Sequence, residues 1–461
     1  MINIIIAMTQ DYGIGLKGRL PWNIKEELQI FRNKTLNNIL IVGRKTAETL
    51  PFLKDRTIIC ITNNKNLDTS SYKNKTIPFL LFDNAIKHCT LNYPTKKIFL
   101  AGGASLYTYI ITNYYHLVKK IHISVIKDSY ECDTFVPILS NNTNINTSII
   151  KTLQHFTNFT HTTLINQQHT EYQYINLLKK VYLDGSKRVG RNGTTISSFG
   201  EHFKFDLRNG FPLLTTKKMF FRGIVEELLF FIRGHTNSKL LENKKINIWS
   251  GNTNRVFLDN NGHTSRPTGI MGPMYGYQWR HFNAEYDEKS GIPLEKGIDQ
   301  LQLVIDLIKN DPHSRRIIMT DFNPLQSHLG VLYPCHSLIL QFYVDTESKT
   351  LDMYCFNRSS DIFLGLPFNI ASSSLLLILI GKLTNLTPRY FNLSLGDAHI
   401  YEQHIDACKK QIERQPYIFP SLIINPEKKL TTIKNIEHLE YTDFTLNNYQ
   451  HHPAIKVQMV S

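Results

Sequence analysis

Tyr333-Pro334-Cys335-His336 and, about twenty residues later, Asn357-Arg358-Ser359-Ser360-Asp361-Ile362-Phe363-Leu364-Gly365-Leu366-Pro367-Phe368-Asn369 together decide how the chain is read. A thiol beside an imidazole, followed by a strand carrying an arginine, an aspartate and an asparagine, suits attack on an electron-poor ring whose substrate is held by an anion. A cysteine attacks as a thiolate, and neighbouring cations favour that form, so Arg358 and His336 are expected to lower the Cys335 pKa. A lone cysteine is more often a small buried hydrophobe. Here its neighbours are polar types that a core excludes, and Cys335 is therefore the candidate nucleophile.

Outward from that stretch, 461 residues exceed what one hydrophobic core usually supports, so two or three domains are expected. The formal charge of +14 surrounds the molecule with a field that attracts anions. Nucleotides, phosphorylated cofactors and folate carboxylates answer to that field as well as nucleic acid does. The basic residues fall in scattered pairs such as Lys119-Lys120 and Lys409-Lys410 and form no tail, which makes nucleic acid an unlikely main partner. Six dispersed cysteines without CxxC spacing indicate neither a metal site nor a disulfide scaffold and fit a reducing, cytoplasmic compartment. Met1 to Met8 reads as a first strand, because it lacks the charged and long apolar regions of a signal peptide. The apolar run within Ile370 to Leu383 is shorter than the ~20 residues that span a bilayer, so it is expected to be a core helix, with no membrane partner.

Ile2 to Met8 runs into Gly13-Ile14-Gly15, expected to form a mobile loop, and then into Leu20-Pro21-Trp22-Asn23. Asn23 is a credible N-cap for a helix over Ile24 to Thr35. On that helix Glu27 shares a side with Ile24, Leu28 and Phe31. A carboxylate so placed is either a partly buried ion-pair member or a functional acid whose pKa burial raises. Two buried strands follow, Ile39 to Val42 entering Gly43-Arg44-Lys45-Thr46 and Ile98 to Ala101 entering Gly102-Gly103-Ala104-Ser105. Strand-to-helix turns of this kind present backbone N–H groups and a helix dipole to phosphate.

With Leu20-Pro21-Trp22, Glu27, Phe31 and Thr46, residues 1–168 resemble dihydrofolate reductase. The resemblance implies an α/β domain with a mostly parallel twisted sheet and NADPH lying across the two glycine turns. Gly43, Arg44, Lys45, Thr46, Thr62, Gly102 and Gly103 would hold it, and the Gly102-Gly103 peptide would be cis. It also implies a pterin bonded to Glu27, Ala7 and Phe31 lining the folate, and Arg56 clamping its glutamate carboxylate. The polar, Asn/Thr-rich stretch from Asn141 to Gln168 is hard to read as the closing strands of such a domain.

Residues 169–461 follow without a flexible linker, and the opening stretch about Cys335 resembles thymidylate synthase, which implies an α+β domain. Arg191, or Arg188 in its place, would grip the phosphate of dUMP from the loop before Phe199-Gly200. Along Ile224 to Arg233, Glu226 aligns with Arg222 and Arg233 and reads as a solvated ion-pair member. Glu227 aligns with Phe220, Ile224 and Phe231, and the resemblance makes it the general acid/base. Trp249 would contact folate, with Asn252 where a second tryptophan is usual, and Tyr275 would relay a proton near C5. Arg315 and Arg316, a pair suited to bidentate phosphate bonds, would reach the nucleotide of the neighbouring subunit, making a homodimer obligatory. Arg358, Ser359, Ser360 and Asp361 would bind dUMP, Asp361 with Leu364, Gly365 and Phe368 would bind folate, and His399 and Tyr401 the ribose. His336 joins the catalytic set, and Asn369 matches the uracil edge, where an aspartate would favour cytosine. The tail from Tyr449 to Ser461 would close over the loaded site.

Both halves together resemble the bifunctional dihydrofolate reductase-thymidylate synthase family. The implied cofactors are NADPH and the co-substrate 5,10-methylenetetrahydrofolate. A deoxynucleotide hydroxymethylase fused to a reductase, and a basic RNA-binding or scaffold protein with decayed sites, are the rival readings.

Overall fold

The computed structural model describes residues 2–136, 149–165, 171–190 and 192–460. The chain divides into two compact units, Met1–His169 and Thr170–Ser461.

In unit 1, runs of β-branched and aliphatic residues form an eight-stranded sheet. Its strands are β1 (Ile2–Thr9), β2 (Ile39–Gly43), β3 (Thr57–Ile61), β4 (Thr76–Phe79), β5 (Ile98–Leu100), β6 (Val118–Ile126), β7 (Ile149–His155) and β8 (Phe159–Ile165). They lie in the order β4-β3-β2-β5-β1-β6-β8-β7. Every pairing from β4 to β6 is parallel, and the β6/β8 and β8/β7 pairings are antiparallel. Strands covered on both faces carry nearly unbroken apolar sequence, and Ile39, Leu40, Ile41 and Val42 are all fully buried. Helices α1 (Lys25–Thr35), α2 (Arg44–Thr49), α3 (Phe82–Asn92) and α4 (Ala104–Asn113) connect the parallel strands.

Three local expectations are corrected. Asn23 does not cap α1: Ile24 holds that position without a side-chain bond. Gly13–Gly15 is pinned, pairing with Thr134–Phe135, and a side chain at Gly13 would collide with Cys132. The closing strands are β7 and β8, hidden from a hydropathy reading because β8 buries polar residues; Phe159, His161 and Thr163 all face inward.

Unit 2 is built on a six-stranded sheet of β9 (Ser186–Gly190), β10 (Gly193–Asp206), β11 (Ile318–Thr320), β12 (Ile339–Asp345), β13 (Thr350–Asp361) and β14 (Thr387–Tyr401). The order is β9-β10-β14-β13-β12-β11, antiparallel except between β13 and β14. Helices α5 (Glu171–Asp184), α6 (Phe221–Ile232), α7 (Gln300–Asn310) and α8 (Gly365–Thr384) surround one large core. Among the described residues α8 is the one helix long and apolar enough to cross a membrane, and it is mostly buried within the protein. It joins the parallel pair, so its N-terminus stands where β13 delivers Arg358 to Asp361.

Candidate active sites

In unit 1 a cleft of about 1930 Å³ is walled by Ala7, Glu27, Phe31, Gly43, Arg44, Lys45, Thr46, Thr62, Gly102 and Gly103 together with neighbouring side chains. The two glycine turns meet directly: the Gly43 N–H donates to the Gly102 carbonyl at 2.8 Å. Gly102 has φ +116°, and Cβ atoms at Gly102 and Gly103 would press on Thr46, so glycine keeps this wall low enough for a ligand to approach the backbone. The Gly102-Gly103 peptide is cis. Glu27 is 5% exposed. Burial raises its pKa, while a hydrogen bond from Ser124 pulls the other way, which is the environment of an acid that can hold a proton. Arg44 bonds Glu48 at 2.5 Å and stays substantially exposed. Arg56 is not among the cleft walls; its guanidinium bonds the Lys54 and Arg32 carbonyls and Thr35.

In unit 2, Cys335 is partly exposed and lies 3.4 Å from the Tyr275 hydroxyl. The Tyr275 ring stacks on His336 at 4.3 Å and 16°, and touches Trp249 at 5.9 Å. The Trp249 indole N–H donates to Glu227 Oε1 at 2.9 Å. α6 delivers Glu227 into this cluster, and burial pushes its pKa up to about 7 against the Trp249 bond. A thiol, a hydroxyl and a carboxyl poised near neutrality are thus joined by one aromatic group.

The expected thiolate is corrected. Burial raises the Cys335 pKa by more than Tyr275 and Arg358 lower it. His336 supplies no positive field, because burial drives its pKa down to about 4 and leaves the ring neutral. Its place against Tyr275 is that of a positioning surface.

Arg358 holds the loop of Cys335, donating to the Pro334 carbonyl at 3.1 Å and the Tyr333 carbonyl at 3.3 Å, and the Ser359 N–H donates to the Cys335 carbonyl. Ser360 is 3% exposed, and its hydroxyl accepts from the Asn357 amide inside the core. Asp361 Oδ1 accepts from the N–H groups of Phe363 and Leu364, fixing the start of α8. Leu364, Gly365, Phe368 and Asn369 are then partly exposed on its first turns. The Asn369 amide makes no hydrogen bond among the described residues. His399 bonds Asp397 at 2.9 Å and meets Tyr401 edge-on at 5.3 Å. Arg188 pairs with the same Asp397 at 2.9 Å, whereas Arg191 lies outside the described residues. Arg315 and Arg316 are exposed and make no ion pair among the described residues. Glu226 is no solvated ion-pair member: it is 4% exposed and bonds Lys244 at 2.8 Å. The tail is tied down by His452, which bonds Thr215 and Gln415.

Two residues escape a sequence reading. Asp321 is 1% exposed, neither carboxyl oxygen has a partner among the described residues, and its pKa is raised well above the ordinary range. A charge there would act on both Cys335 and Tyr275. Lys217 is buried with its ammonium 3.8 Å from the Phe363 ring centroid, and desolvation lowers its pKa to about 8. No spacing or periodicity marks either one; only the buried surroundings do.

Comparison with known proteins assigns both halves. The family described as Dihydrofolate reductase matches residues 1–167, and the family described as Thymidylate synthase matches residues 172–461. Full-length relatives include the bifunctional dihydrofolate reductase-thymidylate synthase of Zea mays, 36% identical and covering 99% of this chain and 96% of the relative. The protein of the same name from Paramecium tetraurelia is 38% identical, covering 99% and 98%, and that from Leishmania major 33%, covering 99% and 94%.

Proposed function

Since the chain belongs to the bifunctional dihydrofolate reductase-thymidylate synthase family, we propose that the unit 2 cluster around Cys335 methylates dUMP and that the unit 1 cleft regenerates the folate. The enzyme converts dUMP to dTMP with 5,10-methylenetetrahydrofolate and reduces the resulting dihydrofolate with NADPH. The relatives do not favour the hydroxymethylase and RNA-binding readings.

The observation that carries the synthase assignment is the Cys335 thiol set against Tyr275, with Arg358 beside it and Glu227 held by Trp249. Cys335 Sγ adds to C6 of dUMP, its proton leaves for solvent or a neighbouring base, and the electron pair moves to C5. When bound, methylenetetrahydrofolate supplies the one-carbon unit and the hydride that completes the methyl group. Glu227, with a pKa of about 7, exchanges protons with the substrate in either direction. Tyr275, oriented by its stack on His336, relays the C5 proton: its hydroxyl takes that proton up as it passes its own on to a neighbouring base or solvent. Arg358 grips the nucleotide phosphate with Ser359, and Arg188, on β9, or Arg191 assists. Asn369, whose amide makes no hydrogen bond among the described residues, reads the uracil edge, and His399 with Tyr401 binds the ribose. Asp361, Leu364, Gly365 and Phe368 receive the folate.

In the reductase, NADPH supplies the hydride. Glu27 bonds the pterin and holds the proton that accompanies reduction, Ala7 and Phe31 line the ring, and Gly43 to Thr46, Thr62, Gly102 and Gly103 form the cofactor's bed. Arg56, outside the cleft walls, takes the folate's glutamate carboxylate at its rim.

The synthase unit forms a homodimer through its sheet, where Ile318, Ile339, Tyr343 and Phe199 leave an exposed apolar face, and Arg315 and Arg316 complete the phosphate grip of the opposite site. Six free thiols fit a reducing, cytoplasmic setting. Replacing Cys335→Ala is expected to abolish dTMP formation and spare NADPH-dependent reduction of added dihydrofolate. Undiminished dTMP formation would place the nucleophile elsewhere.

A further inference from the structure

Where β12 meets β13 the antiparallel ladder runs as far as Ile339 opposite Phe356, and the Leu338 N–H adds a last bond to the Phe356 carbonyl. Before Leu338 the chain is the loop that carries Cys335. Ser337 in that loop takes a left-handed conformation, φ +56°, which crowds any residue with a Cβ. It is 5% exposed, so its N–H needs a partner within the protein. The partner is a side chain: Asn357 Oδ1 accepts from the Ser337 N–H at 2.9 Å. Nothing in the chemistry described above uses Asn357.

The orientation of the Asn357 amide follows from the donors around it. A backbone N–H can bond only the amide oxygen, and the Cys355 thiol, 3.5 Å from the same oxygen, is a second donor. The amide nitrogen points the other way, to Ser360 Oγ at 3.5 Å. Asn357 is 0% exposed, so it is shut off from substrate and bears on the reaction through the loop alone. Its two successors on β13 bind the same loop, Arg358 at the Tyr333 and Pro334 carbonyls and Ser359 at the Cys335 carbonyl. Asn357 completes the series on the far side of Cys335, where it holds the left-handed residue. From this loop Cys335 Sγ meets the Tyr275 hydroxyl at 3.4 Å. His336, whose Nδ1 lies 3.3 Å from Ser337 Oγ, stacks on the Tyr275 ring.

We propose that Asn357 is a positioning residue of the synthase, whose side-chain carbonyl holds the left-handed turn at Ser337 and so fixes Cys335 Sγ beside the Tyr275 hydroxyl. Without that acceptor Ser337 relaxes towards negative φ. Cys335 and His336 directly precede it, so thiol and imidazole then move together off the tyrosine. The thiol contact and the ring stack are thus set by one amide that never meets the nucleotide. The proposal rests on Cys335 being the nucleophile of the synthase.

The test uses the full chain and reads kcat for dTMP formation per site that binds dUMP, with the Kd for dUMP measured on the same sample. Asn357→Ala removes the acceptor; kcat is expected to fall by about tenfold or more while the Kd stays within about threefold. Glycine adopts positive φ freely, so adding Ser337→Gly to Asn357→Ala should recover roughly threefold or more of the lost rate. An unchanged kcat per site, a loss of dUMP affinity equal to the loss of rate, or no recovery with Ser337→Gly overturns the proposal. Should Asn357→Ala bind no dUMP, hydrogen exchange at the Ser337 amide of the native enzyme decides: slow exchange is expected, and exchange at the rate of an unbonded amide overturns it. Full dTMP formation in Cys335→Ala would instead remove the reading of Cys335 itself.

Discussion

Cys335 is held as a thiol until its surroundings change, because burial outweighs the Tyr275 hydrogen bond and the Arg358 charge. Arg358 works against that burial, so Arg358→Leu should raise the thiol pKa further and slow alkylation of Cys335 by a neutral reagent at pH 8, by roughly three- to tenfold. Unchanged alkylation would show that the guanidinium does not act on the sulfur. Asp321 offers a second test. Its folded pKa lies above the unfolded value, so its contribution to stability is fully present below the unfolded pKa and is lost as pH rises towards the folded one. Asp321→Asn removes that dependence, and its melting temperature should gain on the parent's as pH is raised from 5 to 8. Cys335 itself was legible in sequence because its polar neighbours fit no core. The neutral state of His336 was not, since a ring stacked on buried Tyr275 has the same residue name as one in water.

Helix α6, with Trp249 further along the chain, shows how an element sets a protonation state. The helix places Glu227 in the aromatic cluster, and Trp249 supplies a side-chain bond that opposes the desolvation of its carboxyl. Trp249→Phe loses a bond to a charged form worth ~1.5–3 kcal/mol, so the limb of dTMP formation expected near pH 7 should move up by ~1–2 pH units. A limb that stays in place would separate the rate from Glu227. At the start of α5, Glu171 is fully buried and accepts from the N–H and hydroxyl groups of both Thr215 and Thr216. Glu171→Ala would leave these donors unpaired, at a cost of about 3 kcal/mol or more in chemical denaturation. Helical periodicity was enough to single out Glu27 and Glu227, and glycines after buried strands marked both turns of the reductase cleft. β7 and β8 were illegible for a physical reason: β8 satisfies His161 and Thr163 by bonds to β6, so polar residues stand where an apolar alternation would announce a strand. Glu226 misled in the same way, its partner Lys244, partly exposed, being distant in sequence.

At the scale of the whole molecule, the synthase converts its one-carbon carrier to dihydrofolate and the reductase removes that product, so one chain holds a complete chemical cycle. The proposed dimer through the exposed sheet face predicts that Tyr343→Glu shifts the synthase towards a monomer in sedimentation and lowers dTMP formation by at least about tenfold, since Arg315 and Arg316 would then not reach an opposite site. A monomer with full activity would refute the sharing of arginines. The division of labour between the two units is tested most directly by supplying dUMP, methylenetetrahydrofolate and NADPH together and following dTMP, dihydrofolate and NADPH in parallel. The native enzyme is expected to consume one NADPH for each dTMP formed, and Glu27→Gln to form dTMP while dihydrofolate accumulates and NADPH is spared. NADPH consumption undiminished in Glu27→Gln, or loss of dTMP formation in that variant with dUMP and folate saturating, would contradict the account.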